Sequence, residues 1–434
     1  MTLTPTRLEA ATWPDLATVP TGPRAAVSAK VARQLFISAV RRLPVTVVLV
    51  TGSTTGDPSD GHTAAYGRGG PVMTVHRPDE FFARVGRQGL IGFGESYLTG
   101  AWDAEDLSGF LTVLAAEIQH LVPDALQRLR AVVVPRTPRR HRNTQRNTRG
   151  NIAHHYDLSN DLFQLFLDPG LSYSSALFPT GSDGGIDGGI DGQADLREAQ
   201  TRKIERLLDQ ADVGEGTRVL EIGSGWGELA IHAARRGARV HTITLSSEQK
   251  ALADERIAAA GLSHLVEVEL CDYREVTGSY DAVLSVEMIE AVGHQYWSTY
   301  FETIDRVLAP GGKVAIQAIT MPHDRMLATR NTYTWINKYI FPGGFLPSVE
   351  VIDQITRRRT GLRITDRLSM GAHYAETLRR WDDAFLAASE QVRALGFDET
   401  FRRMWHFYLE YSRAGFASGY IDVNQLTFAR PEDL

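Results

Sequence analysis

A doubly wound α/β fold, preceded by a smaller α+β region, is what this sequence predicts, and three observations carry the prediction. From Arg197 onward, helical periodicity alternates with short apolar runs, the pattern of a parallel sheet covered by helices on both faces. The first of those runs leads into the glycine-rich segment VLEIGSGWG (219–227), where a strand turns into a helix. The length of 434 residues exceeds the size at which one hydrophobic core stops growing, so two domains are expected.

In chain order, strand-like runs at 45–50 and 72–76 mix with helical periodicity at 81–85 and 107–121, which reads as an α+β accessory domain over 1–135. Proline and arginine then crowd the chain, marking a basic linker at 136–150. The second domain, 151–434, opens with helix and turn at 151–178. The stretch GSDGGIDGGIDGQAD (181–195) follows; two short Gly/Asp units cannot stack into a calcium-binding coil, so a flexible surface loop is expected. Next come a helix ending at 208, a strand at 218–222, a helix at 229–236, a strand at 240–245 and a helix at 248–260. Strands at 266–270 and 282–286, a helix at 296–307 and a strand at 312–317 complete the alternation.

Composition narrows the function. Hydrophobic residues make up 43% and charged residues 23%, enough for packed cores, and no apolar stretch approaches the roughly 18 residues of a membrane span. The opening MTLTPTRLEAATWPDL lacks a basic segment followed by an apolar core, so no secretory signal and a cytoplasmic location are expected. The single cysteine, Cys271, excludes an internal disulfide and a cysteine-based metal cluster, and no metal site is expected. A net charge of -6 argues against nucleic acid as a partner. Only five of the 46 basic residues are lysines, a bias that points to a GC-rich bacterial genome. Six arginines between Arg136 and Arg149 read equally as a solvated linker or as a patch for anionic headgroups.

Chemistry concentrates at the glycine-rich turn. Glu221 lies on the strand, and Gly223, Gly225, Trp226 and Gly227 follow before a helix, where backbone can approach a nucleotide-like ligand. A dinucleotide fingerprint would space its glycines differently, and the acid on the strand is closer to the first motif of class I methyltransferases. The second strand ends Thr244-Leu245-Ser246 without the acid that a dinucleotide fold places there. Gln249 can replace it on ribose hydroxyls or be an exposed helix residue; spacing leaves both open. Asp272 can accept from an adenine amino group beside a stacking Tyr273, or simply cap the next turn.

The segments HYDLSNDLFQLFLDPGLSYSSALF (155–178), LEIGSGWGELA, TLSSEQ, VEMIEAVG and KYIFPGGFLPS, in that order and followed by GYIDVNQLTF, resemble the cyclopropane-fatty-acyl-phospholipid synthase family. LIGFGESYLTGAWDAEDL resembles that family's accessory domain more loosely. The family also includes the methyltransferases that begin 10-methyl (tuberculostearic) acid synthesis. The resemblance implies a class I, Rossmann-like catalytic domain with S-adenosylmethionine held by Tyr173, Ser174, the 223–227 turn, Thr244, Leu245, Gln249, Asp272 and Tyr273. It implies a bicarbonate ion as base, held by a glutamate, a tyrosine and a histidine, here Glu290 in VEMIEAVG, Tyr374 in MGAHYAET and, in place of the histidine, Gln317 in AIQAIT. Gln317 can donate a hydrogen bond but carries no charge, which weakens ion binding. Two family cysteines fall at Ser175 and Ser412, so thiolate catalysis is excluded.

An alkene is a poor nucleophile, so methyl transfer from sulfur needs close alignment, exclusion of water and stabilisation of the developing cation. Tyr333, Trp335, Tyr339, Phe341, Phe345, Trp381, Trp405, Tyr408 and Tyr411 are candidates for aromatic stabilisation, most of them expected in ordinary core. The expected substrate is an unsaturated acyl chain, oleoyl above all, in a phospholipid of the inner membrane face, approached peripherally. Loss of a proton from the new methyl closes a cyclopropane; a hydride shift first leaves an exocyclic methylene. The sequence leans to the methylene or methyl branch, which requires a separate reductase, and it allows a homodimer. An amine or small-molecule methyltransferase and a lipid carrier without catalysis are the competing readings, disfavoured respectively by the accessory domain and by the intact cofactor motifs.

Overall fold

The computed structural model describes residues 11–51, 62–121, 159–180, 189–191 and 193–431. The basic run from Arg136 to Arg149 and most of the Gly/Asp stretch lie outside them. The chain forms two compact units: Met1–Arg136 with Thr332–Lys338 and Phe385–Tyr420, and Thr137–Asn331 with Tyr339–Ala384 and Ile421–Leu434. The first unit thus also takes two later segments of the chain.

In the first unit β1 (Thr46–Thr51), β2 (His62–Gly67), β3 (Val72–Val75) and β4 (Trp102–Ala104) form a sheet in the order β2-β1-β3-β4, with β1 and β3 parallel. Alternation buries Val47 and Leu49 from β1 and Met73 and Val75 from β3. The helix Pro78–Gln88 begins with proline at its first turn beside Asp79 and Glu80, which suit the positive helix end, and buries Phe81 and Phe82. The helix Glu399–Ala417 packs on Leu90–Leu98 and Leu107–Leu121. It brings Arg403 over the Tyr97 ring at 4.2 Å and to Asp103 at 2.7 Å. Trp335 meets Phe407 edge-on at 4.8 Å, and Trp405 stacks on Phe401, so both expected candidates are core residues of this unit. The short strands β2 and β4 were not expected from the sequence.

The second unit is a seven-stranded sheet. Its strands are β5 (Arg218–Ile222), β6 (Arg239–Thr244), β7 (Val266–Leu270), β8 (Tyr280–Val286), β9 (Leu308–Thr320), β10 (Arg363–Ser369) and β11 (Asp422–Ala429). They lie in the order β10-β11-β9-β8-β5-β6-β7. The strands from β5 to β9 run parallel, as expected, whereas β11 is antiparallel to β9 and to β10. Neighbouring residues of one strand serve opposite cores: Val283 packs with Tyr300, Phe301 and Ile304, while Ala282 and Leu284 pack with Ile204, Leu207 and Ile231. Helices therefore cover both faces. The chain reverses direction across the sheet between β5 and β8, and such a switch point opens a crevice at the carboxyl ends of the strands. Among the described residues no helix is long and apolar enough to cross a membrane.

Candidate active site

At that crevice lies a cleft enclosing about 1030 Å³ of space open to solvent at its mouth. Its wall is built by the ends of β5, β6 and β8, the residues after β7, and the extended segment 171–174. Gly223 and Gly225 both have positive φ, +98° and +49°. A β-carbon on Gly223 would strike the Met288 side chain at 2.5 Å, but one on Gly225 would meet nothing within 4 Å. At Gly225 the backbone therefore presents itself bare to the cleft, as close approach of a cofactor requires.

The segment 171–174 is anchored from below. Asp168 accepts from the amides of Gly170 and Ser172 at 2.7 and 3.0 Å, and Arg197 ties Asp168 to Glu228. Burial alone would raise the Glu228 carboxyl, but its bonds to His232 and Arg197 and the nearby Arg256 hold it down to about 2. Tyr173 stacks on Trp381 at 5.2 Å, and Ser174 accepts from Lys203 Nζ at 2.6 Å. Trp226 donates to Asn160 at 2.8 Å and packs on Phe163. Thr244 donates to the Gln249 side-chain carbonyl at 2.9 Å, and both residues and Leu245 line the wall. Glu221 lies 2.6 Å from the Thr242 hydroxyl; burial pushes its carboxyl up to about 8. Burial lowers Lys203 to about 8 despite the surrounding carboxylates.

The Asp272 carboxylate caps the turn at Tyr273–Glu275 and pairs with Arg274, between Cys271 and Tyr273 of the cleft wall. The Ser175 hydroxyl donates to Ala176 O at 3.0 Å, while its amide meets Glu287 and its carbonyl accepts from Gln317. Tyr374 and Gln317, which the resemblance groups with Glu290 around the ion, both donate to Glu287. Glu290 Oε1 accepts from the Ile319 amide, and burial with the neighbouring Glu287 pushes its carboxyl up to about 8.

Glu287 is a residue that sequence reasoning missed. It follows β8 directly, has a φ of +52° and lines the cleft. Its Oε1 accepts from Ser175 N and Gln317 Nε2, both at 2.9 Å, and its Oε2 from Tyr374 OH at 2.8 Å. The donors that the family resemblance assigns to bicarbonate are therefore occupied by the chain's own carboxylate, and the residues present do not fit the ion. Lys203 was missed as well; its signal was a lysine kept in a chain that otherwise uses arginine.

Residues 143–426 match the family model described as mycolic acid cyclopropane synthetase. The chain is 52% identical over 418 residues to the tuberculostearic acid methyltransferase UfaA1 of Mycobacterium tuberculosis, covering 96% of this chain and 95% of that one. It is 34% identical over 362 residues to the cyclopropane-fatty-acyl-phospholipid synthase of Escherichia coli, covering 82% and 87%. Among solved structures, the cyclopropane synthase MmaA2 of Mycobacterium tuberculosis matches with a TM-score of 0.58 at 30% identity, over 65% of this chain and 98% of its own. CmaA1, a mycolic acid cyclopropane synthase complexed with SAH and CTAB, matches with the same score over 64% and 97%. With its glycine-lined cleft at the switch point of a class I sheet, the chain belongs to the mycolic acid cyclopropane synthetase family of S-adenosylmethionine-dependent methyltransferases.

Proposed function

We propose that the protein methylates the cis double bond of an unsaturated acyl chain, oleoyl in a phospholipid, and releases a methylene-branched chain. The observation that carries this reading is the 52% identity, along almost the whole of both chains, to a tuberculostearic acid methyltransferase. S-adenosylmethionine supplies an electrophilic methyl when bound. Gly225 would let the backbone approach it, Glu221 and the Thr244–Gln249 pair offer acceptors and a donor for its hydroxyls, and Tyr273 an aromatic face. Tyr173, braced on Trp381, lies in the same wall and offers a π surface to positive charge.

The methylene would be saturated by a separate reductase, since the glycine-rich turn of this chain serves S-adenosylmethionine. The protein would work in the cytoplasm at the inner membrane face, drawn there by the first unit and by the arginines at 136–149, each worth about 1 kcal/mol near an anionic surface. Purified enzyme given S-adenosylmethionine and dioleoyl phospholipid vesicles tests the reaction: fragmentation mass spectrometry should locate a methylene at the former double bond. The resemblance to the Escherichia coli synthase makes a ring the second outcome. Only cyclopropane would refute the branched product, and no lipid product would refute the function.

A further inference from the structure

The reaction proposed above, on which this inference rests, ends with a proton leaving the methylated chain, so the cleft must supply a base. We propose that the Glu287 carboxylate is that base, a permanent part of the chain standing where the family resemblance implies a dissociable bicarbonate.

Four observations support it. Glu287 shares the cleft wall with Tyr173, Ser174, Gly223 and Met288, which places its carboxylate beside the glycine-lined pocket. Its backbone holds a left-handed conformation that side chains rarely adopt, shared among the described residues only by the non-glycines Leu171 and Asp212. Such outliers persist where the surroundings impose them, and here the Glu287 amide donates to Gln317 O at 2.8 Å. Three donors take three of about four lone-pair positions of the carboxylate, two on Oε1 and one on Oε2, which leaves Oε2 able to accept a proton. A second anion among these donors would meet like charge and no free hydrogen.

The orientation of Gln317 is also fixed. Arg206, always a donor, gives a hydrogen bond to Gln425 Oε1 at 2.8 Å, so Gln425 Nε2 faces Gln317 Oε1 at 3.1 Å. Gln317 must then turn its NH2 group to Glu287. Across the sheet, Gln317 pairs with Val286 on one side and Gln425 on the other, so strand register alone assembles this relay. A glutamine suits a site whose anion is built in, because it orients the carboxylate without adding a charge that would lower its basicity.

In the step itself the alkene electron pair forms the bond to the methyl carbon, and the carbon–sulfur bond breaks with its electrons left on sulfur. The neighbouring carbon becomes cationic. Glu287 Oε2 takes a proton from the new methyl, and the freed C–H electron pair closes a ring or, after a hydride shift, forms the exocyclic double bond. The proton remains on Glu287 until product release exposes it to water.

The test compares the full chain with Glu287→Gly and Glu287→Gln. Glycine suits the positive φ and leaves a carboxylate-sized gap; glutamine fills the gap without a base. In bicarbonate-depleted buffer, wild-type turnover should equal that with bicarbonate added. Glu287→Gly should lose roughly 10²–10⁴-fold in turnover while still binding S-adenosylmethionine, and formate or bicarbonate should restore at least about tenfold. Glu287→Gln should be as slow and gain nothing from either anion. By calorimetry, formate should bind Glu287→Gly and not wild type. Wild-type turnover that collapses without bicarbonate, or Glu287→Gly within threefold of wild type without added anion, would overturn the assignment. Wild type that forms no lipid product in any buffer would refute the reaction instead, and formate binding would still decide what Glu287 occupies.

Discussion

Replacing Gly225 with valine separates the cofactor site from the fold. At a φ of +49° any L side chain is strained, by about 1–2 kcal/mol, and β-branching places valine at the upper end. No packing cost adds to this, because a β-carbon at 225 would have no neighbour within 4 Å. Glycine 223 offers no such separation, since its β-carbon would collide with Met288 at 2.5 Å. A loss of about 2 kcal/mol should lower the melting temperature by roughly 4–8 °C, with a cooperative transition retained. The branched side chain would meanwhile stand in the space reserved for the cofactor. Exclusion worth at least about 2.7 kcal/mol raises Kd a hundredfold or more. Calorimetric titration of S-adenosylhomocysteine, run well below the melting temperature, reads this directly. A folded variant that binds with unchanged affinity would show that the cofactor does not sit on this turn.

Arg206→Met should loosen Gln425 and through it Gln317, which keep their bonds to Lys203 O and Ser175 O, so that turnover falls only about two- to threefold at unchanged cofactor affinity; a parallel loss of affinity would point to the fold instead. Glu290→Gln should reduce turnover far less than Glu287→Gln, and it should also flatten the pH dependence of stability. The folded Glu290 carboxyl, raised from 4.5 to about 8, keeps its proton through a window in which the unfolded chain has lost it, so its contribution to stability is full below pH 4.5 and declines towards pH 8. The decline is at most about 5 kcal/mol, and melting curves of the variant that fall as steeply as wild type would refute the assignment. Lys338→Met should destabilise by about 2–3 kcal/mol, because Glu95, fully buried, loses the cation 2.6 Å away; denaturant unfolding within 0.5 kcal/mol of wild type would contradict this. Sedimentation with anionic vesicles should weaken as salt rises, while neutral vesicles bind poorly; indifference to both would leave the arginines at 136–149 as a linker.

The parallel part of the large sheet was legible because its central strands are buried on both faces and therefore read as apolar runs between helices. The strands β10 and β11 were not. RITDRLS alternates half-buried and exposed residues at the sheet edge, and its partner lies more than fifty residues away, so only the assembled sheet reveals the pairing. The later segments 332–338 and 385–420 join the first unit for a similar reason, through contacts such as Trp335 on Phe407 that no local periodicity announces. At the site, cleft-lining residues from Tyr173 to Gln249 could be named from local motif. Glu287 escaped because no local motif marks it: its contacts depend on a left-handed backbone at 287 and on Gln317 facing it from the neighbouring strand. For Asp272 the sequence left a ligand role and a turn cap both open, and the bond to Arg274 two residues on was not legible in it.

The most direct measurement is the fate of the transferred methyl. With S-adenosylmethionine carrying a trideuterated methyl group and dioleoyl phospholipid as acceptor, the recovered acyl chain should retain two of the three deuterons on a methylene carbon at the former double bond. One deuteron will have left to the base in the cleft. A chain that retains all three would mean that the proton is lost from another carbon, and an acyl chain without label would contradict methyl transfer to lipid altogether.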